Sequence, residues 1–587
     1  MQVVARFKKL FFDPADYELV DLLNRQPAGG LRSDQVEHLF DPYLHPRGIK
    51  ELAAPIHKRI AYAVIQLLAT LEAGHAEERV AALRSLREEV FNGSSSALRL
   101  NTARVLLAIM KELVKDRGNK ERQLRRAHDF FAALSGRPSV VRGELKKYHL
   151  LEMPEAWNQV SFDHHVHDAN SKGRKSPTHL ILDAWIKGIR DLNVIYYNFI
   201  RTEAAAELTE AAESLGVKLR IGIELAARFR GKYVQLIWTP RGFQGREDFL
   251  EFLESEGVKE FFAAGGEVAA WRKRQVLGLL SSFNAHHREA LNEKYDLRLE
   301  PLDPDQFLAF VGVGQASAAH LAEYIHGLLL PQLNARVDGL QERFAAASAE
   351  EKARIEQEFG QLNELVPERV FEGYLRSELN PEVPSLRVPS EDSETPALLR
   401  LNPQELVEKL NALHTGYRLT LNPTGLLPAD VLELVYDLEG AITHVEIFNL
   451  KDRRQGLESF PPQLVALRRS LNSGNPTAVK QAVRTIIQDA ERNAGPEDAE
   501  RLAKLRGILR DIPRFLGFYR STFLRSRIGS DSIGRAGSLY GMGLVVRETL
   551  PWAAQRDIAR NGTTRATIPV RVEARPATTW EPRSSLT

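Results

Sequence analysis

The chain has 587 residues, 43% hydrophobic and 27% charged, with a formal net charge of +2. This is an ordinary globular composition, too long for one core, and it predicts roughly two to four domains. The near-balanced charge gives no argument for nucleic acid or a membrane surface. The absence of cysteine excludes disulfide frameworks, thiolate metal sites and cysteine nucleophiles, so any metal must be held by His, Asp, Glu or weaker oxygen ligands.

The opening MQVVARFKKLFFDPADYELVD is broken by Asp13 and Pro14 before it reaches signal-peptide length. No run approaches eighteen apolar residues, so no transmembrane segment is expected and the cytoplasm is the default location. Residues 1–150 have helical periodicity, clearest in IHKRIAYAVIQLLATLEAG and SSALRLNTARVLLAIMKELVKD, and Gly136, Pro138 and Gly143 punctuate the end of this region. From about 157 to 241 the pattern changes. QVSFDHHVH, NVIYYN, VKLRIGIEL and KYVQLIWTP read as strands, with PTHLILDAWIKGIRDL and EAAAELTEAAESLG as helices between the first three, which predicts βα units and a parallel sheet.

Helical periodicity returns from about 245 to 378, with a helical pair in DPDQFLAFVGVGQASAAHLAEYIHGLLLPQL and one charged helix in QERFAAASAEEKARIEQEFGQLNELV. The Pro- and acid-rich LNPEVPSLRVPSEDSETP reads as a linker. The βα pattern resumes with helices PQELVEKLNALHTG and LPADVLELVYDLEG and strands YRLTLNPTG and ITHVEIFNL. A long helical stretch covers about 461–512, LRSRIGSDSIGRAGSLYGMGLVV begins as a strand, and a tail follows a possible strand in RATIPVRVEARP.

The chemistry concentrates in FDHHVHD. Side chains alternate along a strand, so Asp163, His165 and His167 share one face. Two imidazoles at a strand end can bind one metal ion; three histidines lying near a surface fit the same pattern. The surroundings resemble the polymerase-and-histidinol-phosphatase (PHP) family of metal-dependent phosphoesterases. That family reads Asp-x-His-x-His, then a strand ending in Thr-Asp-His, a Gly-Ile-Glu strand end, a strand ending in His-Pro, a Val-Glu-Val-Tyr-Asn strand and a closing Ser-Asp-x-His-Gly. The corresponding segments here are FDHHVH, NVIYYN, GIE, LNP, VEIFN and GSDSIG.

The resemblance implies an α/β fold: a PHP-like distorted (β/α) barrel with a large helical insertion and an all-helical N-terminal domain. The implied units are a helical domain at 1–150, barrel at 151–245, insertion and linker at 246–400, barrel with a helical segment at 401–560, and a tail at 561–587. It implies a divalent metal (Zn, Mn or Fe) on His165, His167, Glu224 and Asp531, with Glu224 in the family's bridging position. The departures are Tyr197 and Asn198 for Asp-His, Gln235 and Asn422 where histidines are usual, and Ile533 for the last His. The retained ligands suffice for one four-ligand metal and not for the family's cluster. Asn198, Gln235 and Asn422 are amides that can bind a substrate hydroxyl or offer a carbonyl oxygen.

Arg527 and Arg535 lie among glycines, as an anion clamp requires and as a solvated Gly-rich turn also allows. Tyr197 is a candidate proton donor. His286, His287, His320, His326, His414 and His444 are weaker ligand candidates. Three functions follow. The first is a metal-dependent hydrolase acting on a phosphorylated substrate. The second is a catalytically degenerate barrel that binds a phosphorylated small molecule or glycan and assembles, as an oligomer or with partners, through its helices. The third is a nucleic-acid-acting protein, motivated by the basic runs 111–147 and 501–527, the latter interleaved with Phe515, Phe518 and Tyr519.

Overall fold

The computed structural model describes residues 12–24, 55–70, 75–94, 97–156, 160–384, 388–389, 394–454, 460–495, 498–534, 542–561, 568–572 and 582–583. Parts of the expected linker, most of the C-terminal tail, the edges of the RATIPVRVEARP strand and Arg535 lie outside these residues.

Eight strands form a nearly closed mixed barrel in the order β8-β1-β2-β3-β4-β5-β6-β7. They are β1 (Ser161–Val166), β2 (Asp191–Tyr197), β3 (Lys218–Phe229), β4 (Lys232–Pro240), β5 (Tyr417–Asn422), β6 (Ile442–Asn449), β7 (Arg525–Gly529) and β8 (Leu544–Val546). β1, β2 and β3 pair in parallel, as do β5, β6 and β7. The parallel expectation fails at β4, which is antiparallel to both β3 and β5. Only Arg230 and Gly231 separate β3 from β4, and both have positive φ (46° and 70°), so the chain reverses in a hairpin where no helix fits. The ring closes beyond β7, where Asp531 N donates to His165 O (2.8 Å) and His167 N to Ser532 O (3.0 Å).

Helices Pro177–Lys187 and Thr202–Leu215 cover the first parallel block. Ser176 caps the former, with Pro177 at its first position and Gly188 in the left-handed conformation at its end. Pro138 likewise opens a helix, Pro138–Lys147, instead of closing the helical region. The expected single charged helix is interrupted: Ser348 forms a capping box with Glu351 and starts a new helix, Ala349–Glu364. The stretch 461–512 is three helices, opened by Pro462, by Pro476 behind an Asn475 cap, and by Ala499.

One apolar core runs from the helices before residue 150 through the barrel and into the helices after 460. A second, separate core lies in the insertion between Val276 and Val383. Among the described residues no helix is long and apolar enough to cross a membrane.

Candidate metal centre

The carboxyl end of β1, the middle of β3 where it pairs with the last residue of β2, the middle of β6 and the turn after β7 bring His165, His167, Glu224, Glu446 and Asp531 together, all buried. Gly529 makes the approach possible: a Cβ there would fall 2.3 Å from that of His165, so β7 packs flush against β1 only with glycine. Asp531 then turns into the centre through a left-handed backbone (φ 51°), a conformation Asp tolerates better than most residues. Asp163 does not join them. A register shift between Asp163 and Val166 breaks strict alternation in β1, and the Asp163 carboxylate accepts hydrogen bonds from the N–H groups of Ser530 and Gly543 (3.0 and 2.8 Å).

The donor atoms of His165, His167 and Asp531 all lie within 4.8 Å of one another. His167 Nδ1 is 2.8 Å from the carbonyl oxygen of Ile195. A carbonyl only accepts, so Nδ1 carries the proton and Nε2 presents a lone pair. That lone pair faces Asp531 Oδ1 at 3.1 Å. Burial and the Lys172 ammonium hold the His167 imidazole down to about 3, in keeping with an Nε2 that accepts. Neither Nε2 atom of the two histidines makes a hydrogen bond, although both are buried.

His165 Nδ1 lies 3.0 Å from Glu446, and its Nε2 is 3.6 Å from Glu224 and 3.8 Å from Asp531. Burial opposes its charge, but Glu446 followed by Asp531 and Glu224 raises it to about 9. The carboxylates therefore demand positive charge at His165, as a proton or as a metal cation. Two imidazole nitrogens converging with carboxylate oxygens are a donor set that zinc, manganese or iron accepts. Glu446 and Ile195 O supply the outer hydrogen bonds that orient metal-binding imidazoles.

Two ammonium groups share Asp531: Lys172 Nζ lies 2.8 Å from Oδ1 and Lys451 Nζ 3.0 Å from Oδ2. Burial raises the Asp531 carboxyl, yet these lysines hold it well below the usual range. Burial raises Glu224. The Tyr197 ring stacks on His167 at 5.2 Å with Lys172 over its face at 5.2 Å; burial, then Glu224 and Asp531, push its phenol well above its ordinary value. Arg272, from the long helix Glu256–Ser282, has a buried Nε without a hydrogen bond; burial lowers its pKa, and the Glu224 carboxylate opposes this.

The other expected residues lie around this centre. Asn198 has φ 63° and its amide reaches Gln315 (3.5 Å). Asn422 Oδ1 accepts from the backbone and hydroxyl of Thr424 (3.1 and 2.7 Å), and Gln235 pairs across from it in the sheet. Arg527 lies deeper in the barrel, in register with Glu446. Of the weaker histidines, His414 is spent on the carbonyl of Arg241 (2.8 Å), His320 on that of Lys172 (3.1 Å) and His287 on that of Leu379 (3.2 Å). His286 forms a 4.0 Å pair with Glu382, His326 is half-buried on its helix, and His444 lies two residues before Glu446 on β6. In the basic run 501–527, Phe515 and Tyr519 are buried, while Arg501, Lys504, Arg506 and Arg514 pair with acids.

Lys172, Lys451, Arg272 and Glu446 were not read from the sequence as site residues. The signal for Glu446 is a lone acid at the end of an apolar strand, VEIF. Lys172, in NSKGRK, resembles any solvated loop lysine, and nothing local distinguishes Arg272 on its helix.

No family model matches the chain, and no curated protein matches it. Distantly similar solved structures include two that follow. A Bifidobacterium adolescentis protein provisionally named a metal-dependent phosphoesterase shares 15% identity over 64% of this chain and 87% of its own, with a TM-score of 0.32. An amidohydrolase from Chromobacterium violaceum, with bound sulfate and no metal, shares 15% over 50% of this chain and 84% of its own, with a TM-score of 0.30.

Proposed function

We propose that the barrel mouth is a metal-dependent hydrolytic centre acting on a phosphorylated substrate. The observation that carries this is the pair of buried acceptors, His167 Nε2 and Asp531 Oδ1, facing each other at 3.1 Å, with the imidazole's proton held on Nδ1 by the Ile195 carbonyl. A cation relieves that repulsion, and His165 Nε2 and the Glu224 carboxylate complete the ligands. A divalent ion held there supplies Lewis acidity toward a phosphoryl oxygen and a water of lowered pKa. The chain's own residues bind and orient. Lys172, Lys451 and Arg272 offer charge to a phosphoryl group, and the Tyr197 phenol stays protonated and can donate a hydrogen bond. Glu446 keeps the His165 ring in place.

The test is elemental analysis of the purified chain beside His165→Ala/His167→Ala, with hydrolysis of an aryl phosphate as the second readout. The expected result is bound metal and turnover in the wild type, metal lost in the variant, and activity lower by about 100-fold or more. A metal-free wild type whose turnover survives the double substitution would sink the reading. The two lysines on Asp531 favour a second reading, in which ammonium groups replace metal charge and the barrel binds its phosphorylated ligand without turnover. It predicts ligand binding that is indifferent to chelators.

A further inference from the structure

The opposite end of the barrel is filled with positive charge that the metal centre does not use. Arg220 precedes Glu224 by four residues on β3, about 13 Å along a strand, and Arg527 lies on β7 four residues before Asp531, which stands in the turn beyond that strand. His444 precedes Glu446 by two on β6. Because side chains alternate, Arg220 and His444 share the interior face with Glu224 and Glu446 above them, and Arg527 is in register with Glu446. Arg418 on β5 sits in register with Thr239, whose hydroxyl lies against Gly222 inside the barrel.

Arg527 is only 5% exposed and His444 only 6%. His164, Arg220 and Arg418 are half-buried and Arg525 is exposed, so the cluster opens to solvent at its outer end. Asp191 holds Arg220 in a two-bonded pair and lies 4.0 Å from His164. Glu446, above, is committed to His165. Among the described residues no other carboxylate pairs with the group. Nε and Nη2 of Arg527, Nε of Arg418 and Nδ1 of His164 are buried without hydrogen-bond partners. The mutual influence of these groups shows their proximity. After burial, Arg418 and Arg220 are the largest influences lowering Arg527, and Arg527 and Arg418 do the same to His444.

A buried guanidinium with empty donors is costly, and like charges facing one another add to the cost. Several such groups in one barrel call for a counter-charge to satisfy them. We propose that this floor is a second anion site, shaped for a phosphate group that takes hydrogen bonds from Arg527, Arg418 and His164. Guanidinium forks match tetrahedral phosphate oxygens, and one dianion offsets two of the clustered charges. The site is independent of the hydrolytic reading, since it uses none of the metal-centre side chains.

Calorimetric titration of inorganic phosphate, and separately of phenyl phosphate, into the full-length, chelator-treated protein tests it. The wild type is expected to bind inorganic phosphate, with affinity falling about tenfold or more in Arg418→Gln and in Arg527→Gln. Phenyl phosphate binding as well would show that the site takes an esterified group; binding of the inorganic ion alone would show that it takes the free ion. Arg418 is half-buried, so its variant keeps the test alive if Arg527→Gln does not fold. Absence of binding in the wild type overturns the proposal, as does binding that both substitutions leave unchanged. So does binding lost in Lys172→Gln but kept in Arg418→Gln, which would put the ion at the metal end. A purely structural role is separated by melting in phosphate and phosphate-free buffer. Arg418→Gln destabilised equally in both contradicts the proposal; a deficit that appears only in phosphate supports it.

Discussion

The two helical additions to the barrel are attached in different ways. The helices before residue 150 share its apolar core. Phe91 packs edge-on against Trp185 of the barrel helix Pro177–Lys187 at 5.7 Å, and Arg79 holds Glu207 through two bonds (2.8 and 2.6 Å). Arg104, fully buried, donates to the carbonyls of Ile186 (2.8 Å) and Leu151 (2.9 Å). The insertion is joined through the helix Glu256–Ser282, whose Val258, Phe261, Val268 and Trp271 lie in the barrel's core; from Val276 onward it has its own core and meets the barrel mouth through polar contacts. Gln315 N donates to Ser171 O (2.8 Å), His320 Nε2 lies 3.1 Å from Lys172 O, and Arg174 pairs with Glu323. The first addition is part of what makes the barrel stable. Most of the second lies outside that core, and its polar contacts fall on the loop that carries Lys172.

The largest expected effect breaks the shared core. Trp185→Ala removes a nearly buried ring from the seam and is expected to cost about 3–5 kcal/mol, lowering the denaturant midpoint of the main transition. If the N-terminal helices were an independent unit, that transition would stay in place. Ile325→Ala, in the insertion core, is expected to cost about 3 kcal/mol within that unit alone. It should split unfolding into two steps and leave metal content unchanged. A single shifted transition would show that the two cores are coupled.

A smaller effect tests the seam by pH. His179 lies 3.2 Å from Lys111 Nζ and 3.8 Å from Asp183. Burial lowers its pKa, Asp183 opposes this, and Lys111 and Lys175 reinforce it, leaving about 4. The folded value lies below the ordinary 6.5, so the unfolded chain takes up the proton first. The stability this group contributes is complete above pH 6.5 and is lost as pH falls through about 4. The expected loss over that window is about 1–3 kcal/mol, and His179→Gln should flatten it. A wild type whose midpoint is constant between pH 6.5 and 4 would refute the assignment.

The barrel and four of its candidate ligands were legible in the sequence because they sit on strands or within two residues of them, where local periodicity and motif order carry the information. FDHHVH and GIE fix His165, His167 and Glu224 to a register, and GSD places Asp531 after the last parallel strand. The rest depends on where distant segments meet. Lys172 reaches Asp531 from a loop and Lys451 from the five-residue helix Leu450–Arg454, neither of which shows a periodicity, and Arg272 reaches the centre only because Gly265 lets its helix lie against the Asn198 carbonyl, 2.4 Å from where a Cβ would be. The antiparallel β4 was missed because a strand's direction is set by the turn before it, here two residues long. The basic run 501–527 suggested a nucleic-acid platform because pairing is invisible in one dimension: Arg501 faces Asp430 and Glu433 from a helix some 70 residues earlier in the chain.

The smallest expected change in stability falls on the tether between insertion and mouth. Glu323→Gln removes the charge that holds Arg174, while Arg174 keeps its contact with the Phe310 carbonyl (3.1 Å) and ring (4.2 Å). The pair is partly exposed, so its loss is expected to cost about 1 kcal/mol or less. The consequence for the site is expected to be larger than that figure suggests. Gln315 N and His320 hold Ser171 and Lys172 by their carbonyls, and Lys172 Nζ is one of the two charges on Asp531. Loosening the insertion should therefore speed hydrogen exchange at the Gln315 amide and weaken binding of a phosphorylated ligand at the mouth, with neither unfolding transition moving appreciably. Exchange accelerated throughout the insertion would mean that Glu323 supports its core and not the tether. Unchanged exchange and unchanged binding would mean that the Lys172 loop holds its shape by itself, through the bonds that Asp168 O accepts from Ser171 N (3.2 Å) and Gly173 N (2.7 Å).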